Sequence, residues 1–123
     1  MILVVDDDPQ VRGTIHRALT ELGYAVCEAA DGPRALEAVR DDRVDLVVLD
    51  YVMPGMDGAE VAREIARIDP DLPVIFSTGH AALRMLRNAA GEDVPVLHKP
   101  FTLDELDELL RERLLERRRA KSL

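Results

Sequence analysis

The sequence predicts an α/β domain in which a parallel sheet is covered by helices on both faces. Short apolar runs, rich in β-branched residues and without polar alternation, recur along the 123 residues. Such runs are typical of strands that are buried on both faces. Between them lie segments whose apolar residues repeat at helical spacing. This alternation favours five parallel strands connected by crossovers, with five helices in all.

The first predicted strand starts almost at the N-terminus, and four more apolar runs follow it. The second run reads as less buried than the others, and the last two have a proline at or near their start. In chain order, the predicted strands are Ile2–Val5, Tyr24–Cys27, Val44–Leu49, Val74–Phe76 and Val94–Leu97.

The predicted helices each carry one apolar stripe, and the turn residues agree with their ends. Asp8-Pro9 is a helix start, Gly23 is placed to end that helix, and Thr102 with Glu105 resembles a capping box. The segment from His80 to Ala90 has the weakest pattern, because Leu83 and Leu86 are its only large apolar anchors. The other stripes span Val11–Leu22, Ala35–Val39, Val61–Ile68 and Leu103–Leu114.

Composition bounds the class of protein. Apolar residues make up 47% of the chain and aromatic residues only 3%, so the core must be aliphatic. The length fits one domain over residues 1–123. No apolar run approaches the roughly 20 residues that cross a bilayer, and the N-terminus lacks an export signal. We therefore expect a cytoplasmic protein with no membrane partner. The single cysteine, Cys27, excludes a disulfide framework and a cysteine metal cluster.

Charge is unevenly distributed around a formal net charge of -8. Residues 111–123 hold six basic and two acidic residues, whereas the rest of the chain is strongly acidic. An acidic body repels nucleic acid, so direct nucleic-acid binding is not expected. We interpret the basic end as the solvated terminus of the last helix, where cations complement the helix dipole. Contact with phosphates or an acidic partner is the alternative.

Polar residues follow four of the predicted strands, where open α/β sheets bind their ligands. If the first, third and fifth strands have neighbouring ends, several carboxylates converge near one lysine. The residues in question are Asp6, Asp7 and Asp8 after the first strand, Asp50 after the third, Ser77, Thr78 and Gly79 after the fourth, and His98, Lys99 and Pro100 after the fifth. Because Asp50 precedes a Pro-Gly turn, we expect its carboxylate to be exposed.

Converging carboxylates repel one another unless a cation joins them, and Mg²⁺ prefers oxygen ligands. A phosphate in such a site would meet a metal, an ammonium and a hydroxyl, and phosphoryl transfer depends mainly on positioning and charge neutralisation. A carboxylate can also be the covalent acceptor. Simpler roles exist for each residue alone: Asp6 to Asp8 as a helix cap, Asp50 as a turn start, Thr78 as a cap and Lys99 as a surface lysine.

Four segments, taken in this order and spacing, carry a specific family resemblance over the whole chain. They are Leu3-Val4-Val5-Asp6-Asp7-Asp8-Pro9, Val48-Leu49-Asp50-Tyr51-Val52-Met53-Pro54-Gly55-Met56-Asp57-Gly58, Ser77-Thr78-Gly79 and Lys99-Pro100-Phe101. The sequence resembles a response-regulator receiver domain of two-component signalling or a phosphorelay. The resemblance implies a flavodoxin-like, doubly wound sheet of strand order 2-1-3-4-5.

The resemblance also implies residue roles. Asp50 would be the phosphorylated aspartate. Asp7 would bind Mg²⁺ directly, Asp6 would assist through water, and Asp50 and the backbone carbonyl of Val52 would complete the protein ligands. The phosphoryl donor would be a phosphohistidine on a histidine kinase or a histidine phosphotransfer protein. The chain would catalyse only its own phosphorylation and dephosphorylation.

Further positions would form the switch. Thr78, followed by Gly79, would donate its hydroxyl to the phosphoryl group, and Lys99 would contact another phosphoryl oxygen. The bond from Lys99 to Pro100 would be cis. Receivers usually have Tyr, Phe or His three positions before the lysine, where this chain has Val96. Val96 leaves the acceptor chemistry untouched but departs from the usual aromatic switch.

Other functions fit less well. A haloacid-dehalogenase-type phosphatase needs a second Asp two residues after the nucleophile, where this chain has Val52. A nucleotide-binding module needs a Gly-rich loop before Lys and Ser or Thr. A receiver-like scaffold that works by protein contacts alone stays open. The chain could be a stand-alone regulator or the receiver of a larger sensor kinase. Its downstream protein target is unknown, and a homodimer through the last helices is a further alternative.

Overall fold

The computed structural model describes residues 1–41, 43–53 and 55–122, and strands and helices alternate along it. Pro54 of the expected Pro-Gly turn and Leu123 of the basic tail lie outside the described residues. The strands are β1 (Ile2–Val5), β2 (Val26–Ala29), β3 (Leu46–Asp50), β4 (Val52–Met53), β5 (Met56–Asp57), β6 (Val74–Thr78) and β7 (Val96–His98). The helices are α1 (Pro9–Glu21), α2 (Gly32–Asp41), α3 (Gly58–Ile68), α4 (His80–Ala90) and α5 (Leu103–Ser122).

Five of these strands form one parallel sheet in the order β2-β1-β3-β6-β7. Counted over those five strands alone, the order is 2-1-3-4-5, so the expected topology is confirmed. It places β1 beside β3, and β6 and β7 on the far side of β3. The carboxyl ends of these strands therefore lie along one edge of the sheet.

Two aliphatic cores cover the two faces of the sheet, which confirms helices on both sides. One core packs Ile15 and Leu19 of α1 and Leu106 and Leu110 of α5 against one face. The other core packs α2, α3 and α4 against the opposite face, and Leu86 is the fully buried anchor of α4. Among the described helices, none is both long and apolar enough to span a bilayer.

Strand boundaries differ from the expected ones for local reasons. The backbone N–H of Tyr24 donates to the Leu19 carbonyl 3.1 Å away at the end of α1, so β2 starts at Val26. Gly23 makes this turn with φ +95°, as its position in the sequence predicts. At the carboxyl ends of the strands, β6 continues through Thr78 and β3 continues through Asp50, so both residues belong to strands. The hairpin of β4 and β5 was not predicted.

The basic end of α5 is only partly solvated. Arg117 is buried, and its Nη2 atom donates to Oδ2 of Asp69 at 3.0 Å and to the Val44 carbonyl at 3.4 Å. The interpretation of residues 111–123 as a solvated terminus is therefore wrong for Arg117. This side chain ties the last helix to the residues before β3 and after α3.

Candidate functional site

Three carboxylates converge at the carboxyl edge of the sheet. One carboxylate oxygen from each of Asp6, Asp7 and Asp50 lies within 4.8 Å of the others. Asp6 and Asp7 follow β1, and Asp50 ends the neighbouring β3. The predicted convergence of carboxylates is therefore confirmed, and the parallel pairing of β1 with β3 produces it.

Asp8 has a different role from its two neighbours. It is the N-cap of α1, where its Oδ1 accepts from the backbone N–H of Gln10 at 2.9 Å and of Val11 at 3.5 Å. Pro9 occupies the first turn, as the sequence predicts. Since one residue satisfies the cap, Asp6 and Asp7 are not needed for it. Asp6 is buried and Asp7 is exposed, so the cluster has one solvent-facing member.

Asp50 is nearly enclosed. Only 7% of its surface is exposed, so the expectation of an exposed carboxylate is wrong. As the last residue of the central strand it pairs with Ser77 of β6, and the Tyr51 N–H donates to the Ser77 carbonyl at 3.1 Å. Burial first, and then the charge of Asp6, raise the pKa of Asp50 to about 6, although the Lys99 ammonium opposes both. Burial and a neighbouring negative charge both disfavour the ionised form of a carboxyl group.

Lys99 joins the acidic cluster from the position directly after β7. Its Nζ lies 3.5 Å from Oδ2 of Asp6 and 3.5 Å from Oδ1 of Asp50. The backbone N–H of Lys99 donates to the Thr78 carbonyl at 2.9 Å, which fixes the start of this side chain against β6. The peptide bond from Lys99 to Pro100 is cis, as expected. One ammonium thus bridges two of the three carboxylates.

Thr78 and Gly79 lie where β6 leads into α4. Thr78 is 2% exposed, and its hydroxyl donates to the Gly79 carbonyl at 3.3 Å. Gly79 is the N-cap of α4, so the alternative role of Thr78 as that cap is wrong. The Thr78 hydroxyl therefore makes one long hydrogen bond to the backbone in this structure.

The loop after Asp50 is held by close backbone packing. A Cβ atom on Gly58 would lie 2.8 Å from Cα of Tyr51 and 2.9 Å from its carbonyl oxygen, so this position requires glycine. The backbone of Val52 donates to the Asp50 carboxylate, while its side chain points outward and is 60% exposed. Val96 is half-buried and pairs with Phe76 across β6 and β7.

One contact to the cluster went unnoticed in the sequence. Arg12, in the second turn of α1, donates from Nη1 to the Asp6 carbonyl at 2.8 Å and from Nε to Oε1 of Glu28 at 2.7 Å. A cation near a helix N-terminus opposes the helix dipole. This unfavourable position was the signal in the sequence that Arg12 has a specific partner. The charge pattern of α1 alone does not identify the partners of Arg12.

The residues present fit a hard divalent cation. The donor set consists of carboxylate oxygens, which Mg²⁺ prefers, and it contains no sulfur or imidazole donor among the described residues. Three carboxylates face one ammonium, and burial together with the charge of Asp6 keeps the pKa of Asp50 raised although Lys99 lies beside it. A bound cation would lower that pKa by stabilising the ionised acid.

Comparison with known proteins identifies the family. A family model described as the response regulator receiver domain matches residues 2–111. Response regulator MprA of Mycolicibacterium vanbaalenii is 45% identical over 119 residues, which are 95% of this chain and 50% of that protein. The chain thus spans about half the length of the curated relatives it matches.

Solved structures agree with the family model. The receiver domain of NtrX from Brucella abortus is 32% identical, with a TM-score of 0.86 over 93% of this chain and 98% of that one. A CheY-like receiver protein from Methanospirillum hungatei is 29% identical, with a TM-score of 0.84 over 97% and 96%. With the site geometry and the sheet order, these matches place the chain in the response regulator receiver domain family, whose general role in two-component signalling is to accept a phosphoryl group.

Proposed function

We propose that Asp50 is the phosphoacceptor and that Mg²⁺, held by the acidic cluster, supports the transfer. The observation that carries this proposal is the convergence of the Asp6, Asp7 and Asp50 carboxylates within 4.8 Å, with Lys99 bridging two of them. Asp50 is the cluster member that lies at the end of the central strand and contacts Lys99. Its position therefore suits an acceptor flanked by charge-neutralising groups.

The neighbouring residues divide the remaining work. Asp7, the exposed member, would ligate Mg²⁺ directly, and Asp6 would assist through a water molecule. Asp50 and the Val52 carbonyl would complete the protein ligands. When bound, the ion neutralises charge on these carboxylates and on the incoming phosphoryl oxygens. The burial of Asp6, which is 2% exposed, and its contact with Lys99 support this indirect role in Mg²⁺ binding.

The transfer itself is a displacement at phosphorus. A carboxylate oxygen of ionised Asp50 attacks the phosphorus of a phosphohistidine, the new P–O bond forms, and the P–N bond breaks. The electron pair of that bond leaves with the imidazole, which then takes a proton from water. Lys99 would turn from Asp50 to a phosphoryl oxygen, and Thr78, with Gly79 at its side, would donate its hydroxyl to another. The product is an acyl phosphate on Asp50.

The first test is metal-dependent labelling of the wild-type chain. We expect acetyl phosphate or phosphoramidate to add one phosphoryl group in the presence of Mg²⁺, with little or no labelling in excess chelator. The reason is that an acidic cluster with one lysine repels an anionic donor until the cation joins it. Intact-mass spectrometry measures the labelled fraction. Equal labelling with and without chelator would sink the proposal.

Partners follow from the family. Response regulators receive their phosphoryl group from a histidine kinase and pass the signal to a downstream target. We propose that this chain acts as a signalling module whose own chemistry is limited to gaining and losing its phosphoryl group. A histidine kinase or a histidine phosphotransfer protein would be the donor, and phosphorylation-dependent protein contacts would carry the output.

The signal would travel mainly through backbone, because Val96 stands where receivers usually have an aromatic ring. A valine has one stiff χ1 torsion and no ring to swing. Helix α4 follows Thr78 directly, and among its described side chains Leu86 is the single one that is fully buried. Local opening of α4 therefore exposes little of the core and should cost little free energy. We expect a beryllofluoride mimic to shift the backbone amides of α4 while Val96 keeps one rotamer, as measured by NMR. A large rotamer change at Val96 beside an unmoved α4 would refute this route.

A further inference from the structure

We infer that Arg12 is a positioning residue for the acidic site and that Glu28 holds Arg12 in place. This inference rests on the proposed function, since it concerns the geometry in which Asp6 and Asp7 meet a cation. The side-chain hydrogen bonds of Arg12 go to the Asp6 carbonyl and to Glu28, and not to Asp50. It acts through the backbone between the two carboxylates.

Arg12 connects three parts of the fold, which are helix α1, the residue after β1, and β2. Its side chain is 18% exposed and leaves α1 toward the end of β1. The Nη1 atom donates to the Asp6 carbonyl at 2.8 Å, and the Nε atom donates to Oε1 of Glu28, on β2, at 2.7 Å. A planar guanidinium presents both donors in one rigid fork, which an ammonium cannot do. The two bonds therefore fix the guanidinium and the carbonyl relative to the sheet.

The bonded carbonyl belongs to the peptide unit that joins Asp6 to Asp7. A peptide unit is planar, so holding its oxygen sets the direction in which both Cα atoms leave it. The other polar groups of Asp6 are also engaged: its N–H donates to the Ala29 carbonyl at 3.2 Å, and its Oδ1 accepts from the Asp8 N–H at 3.0 Å. Asp6 lies one residue beyond β1, and its N–H makes the bond to the last residue of β2, Ala29. Arg12 supplies the donor for the Asp6 carbonyl.

Glu28 makes this arrangement rigid. Its Oε1 accepts from Arg12, and its Oε2 lies 2.6 Å from Nδ1 of His16, one turn further along α1. The hydrogen bond from Arg12, and to a smaller extent His16, lowers the pKa of Glu28, so its carboxylate stays ionised near neutral pH. An ionised Glu28 compensates a cation that the α1 dipole would otherwise disfavour.

Positioning and simple electrostatics predict opposite signs. A guanidinium close to the acidic cluster repels Mg²⁺, so if charge alone mattered, removing Arg12 would tighten metal binding. If Arg12 instead orders the peptide between Asp6 and Asp7, losing the fork weakens metal binding even when the positive charge is kept. Arg12→Lys separates the two effects because it keeps the charge and loses the paired donors.

The experiment compares Mg²⁺ affinity of the whole chain in Arg12→Lys and in Arg17→Lys, a matched control. Arg17 lies on the same helix with its side chain exposed. We expect Arg12→Lys to weaken Mg²⁺ binding by about tenfold, as loss of groups that orient metal ligands usually does, and Arg17→Lys to leave it unchanged. Amide NMR shifts of Asp6 and Asp7 during the Mg²⁺ titration give the affinity. At saturating Mg²⁺, labelling by acetyl phosphate should return to the wild-type rate, which a general loss of structure would not allow.

Glu28→Gln provides a second variant in case Arg12→Lys folds poorly. The amide oxygen still accepts from Nε, so we expect a smaller loss of affinity, and the double variant should bind Mg²⁺ no more weakly than Arg12→Lys. Wild-type affinity in Arg12→Lys, tighter binding, or additive losses in the double variant would each overturn the inference. A wild-type chain that bound no Mg²⁺ would overturn the proposed function as well, so the two failures are distinguishable.

Discussion

We expect that replacing Asp50 by Asn abolishes phosphoryl labelling, because the amide oxygen is a much poorer nucleophile than the buried carboxylate that it replaces. The loss should be complete within detection, because Asp50 is the single proposed acceptor. The measurement is the intact mass of the Asp50→Asn variant after incubation with acetyl phosphate and Mg²⁺. Full labelling of this variant would refute the assignment of Asp50. It would also favour a different acceptor in the acidic cluster.

Asp57→Asn is the matched control for this substitution. Asp57 ends the β4–β5 hairpin that follows Asp50, is exposed, and caps α3 through a 2.9 Å hydrogen bond from the Ala59 N–H. Asn caps helices as well as Asp, so this variant should fold and be labelled like the wild type. Loss of labelling in both variants would point to disruption of the loop instead of removal of the acceptor. The same pair tests the scaffold alternative, because a module that works by contacts alone would not be labelled even as wild type.

Stability of the metal-free protein provides an independent check on Asp50. Its pKa is about 6 in the folded chain, above the ordinary 3.8. The folded state therefore holds this proton more tightly than the unfolded state, so the associated stability is present below about pH 4 and is lost as pH rises through about 6. In chelator at pH 8, Asp50→Asn should be more stable than the wild type by on the order of 2 kcal/mol, with the difference vanishing toward pH 4. Urea unfolding measures both.

Much of the fold could be predicted because its signals are local. The run Ile2-Leu3-Val4-Val5 forms β1 without exception, and Asp8-Pro9 begins α1 with the expected cap bonds. Helix periodicity identified Ile15 and Leu19 of α1 and Leu106 and Leu110 of α5 as buried. It was wrong for Leu103, which is 40% exposed, and it did not identify the buried Arg117. The end of α1 limited the accuracy for β2, because the N–H of Tyr24 completes a bond to Leu19 that competes with strand pairing.

The site was predictable in its membership and less so in its environment. Strand ends could be aligned once the fold class was known, which brought Asp6, Asp7, Asp50 and Lys99 together. Burial of Asp50 could not be predicted from its neighbours in sequence, since it depends on β1 and β6 flanking β3 and on the approach of Lys99. The bond from Arg12 to the Asp6 carbonyl depends on Glu28 of β2. Such contacts arise from the packing of elements that are distant along the chain.

The second large effect expected is the loss of Mg²⁺ binding in Asp7→Ala. Asp7 is the exposed member of the acidic cluster, with its ligand oxygen within 4.8 Å of those of Asp6 and Asp50. Removing the carboxylate that we propose to coordinate Mg²⁺ directly should weaken Mg²⁺ binding by on the order of 100-fold, because the site offers few protein ligands. Asp8→Asn is the control, because it removes a neighbouring negative charge but keeps the cap of α1. NMR titration with Mg²⁺ gives both affinities.

Thr78→Ala separates metal binding from the response to phosphorylation. The Thr78 hydroxyl bonds to the Gly79 carbonyl and is not part of the carboxylate cluster, so this variant should bind Mg²⁺ within about twofold of the wild type. In the proposed mechanism the hydroxyl acts only when a phosphoryl oxygen offers a stronger acceptor than that carbonyl, since hydrogen bonds to charged acceptors are shorter and stronger. We therefore expect the beryllofluoride-induced amide shifts of α4 to be largely lost in Thr78→Ala. If Thr78→Ala lost Mg²⁺ as severely as Asp7→Ala, the division between metal ligands and switch residues would be wrong.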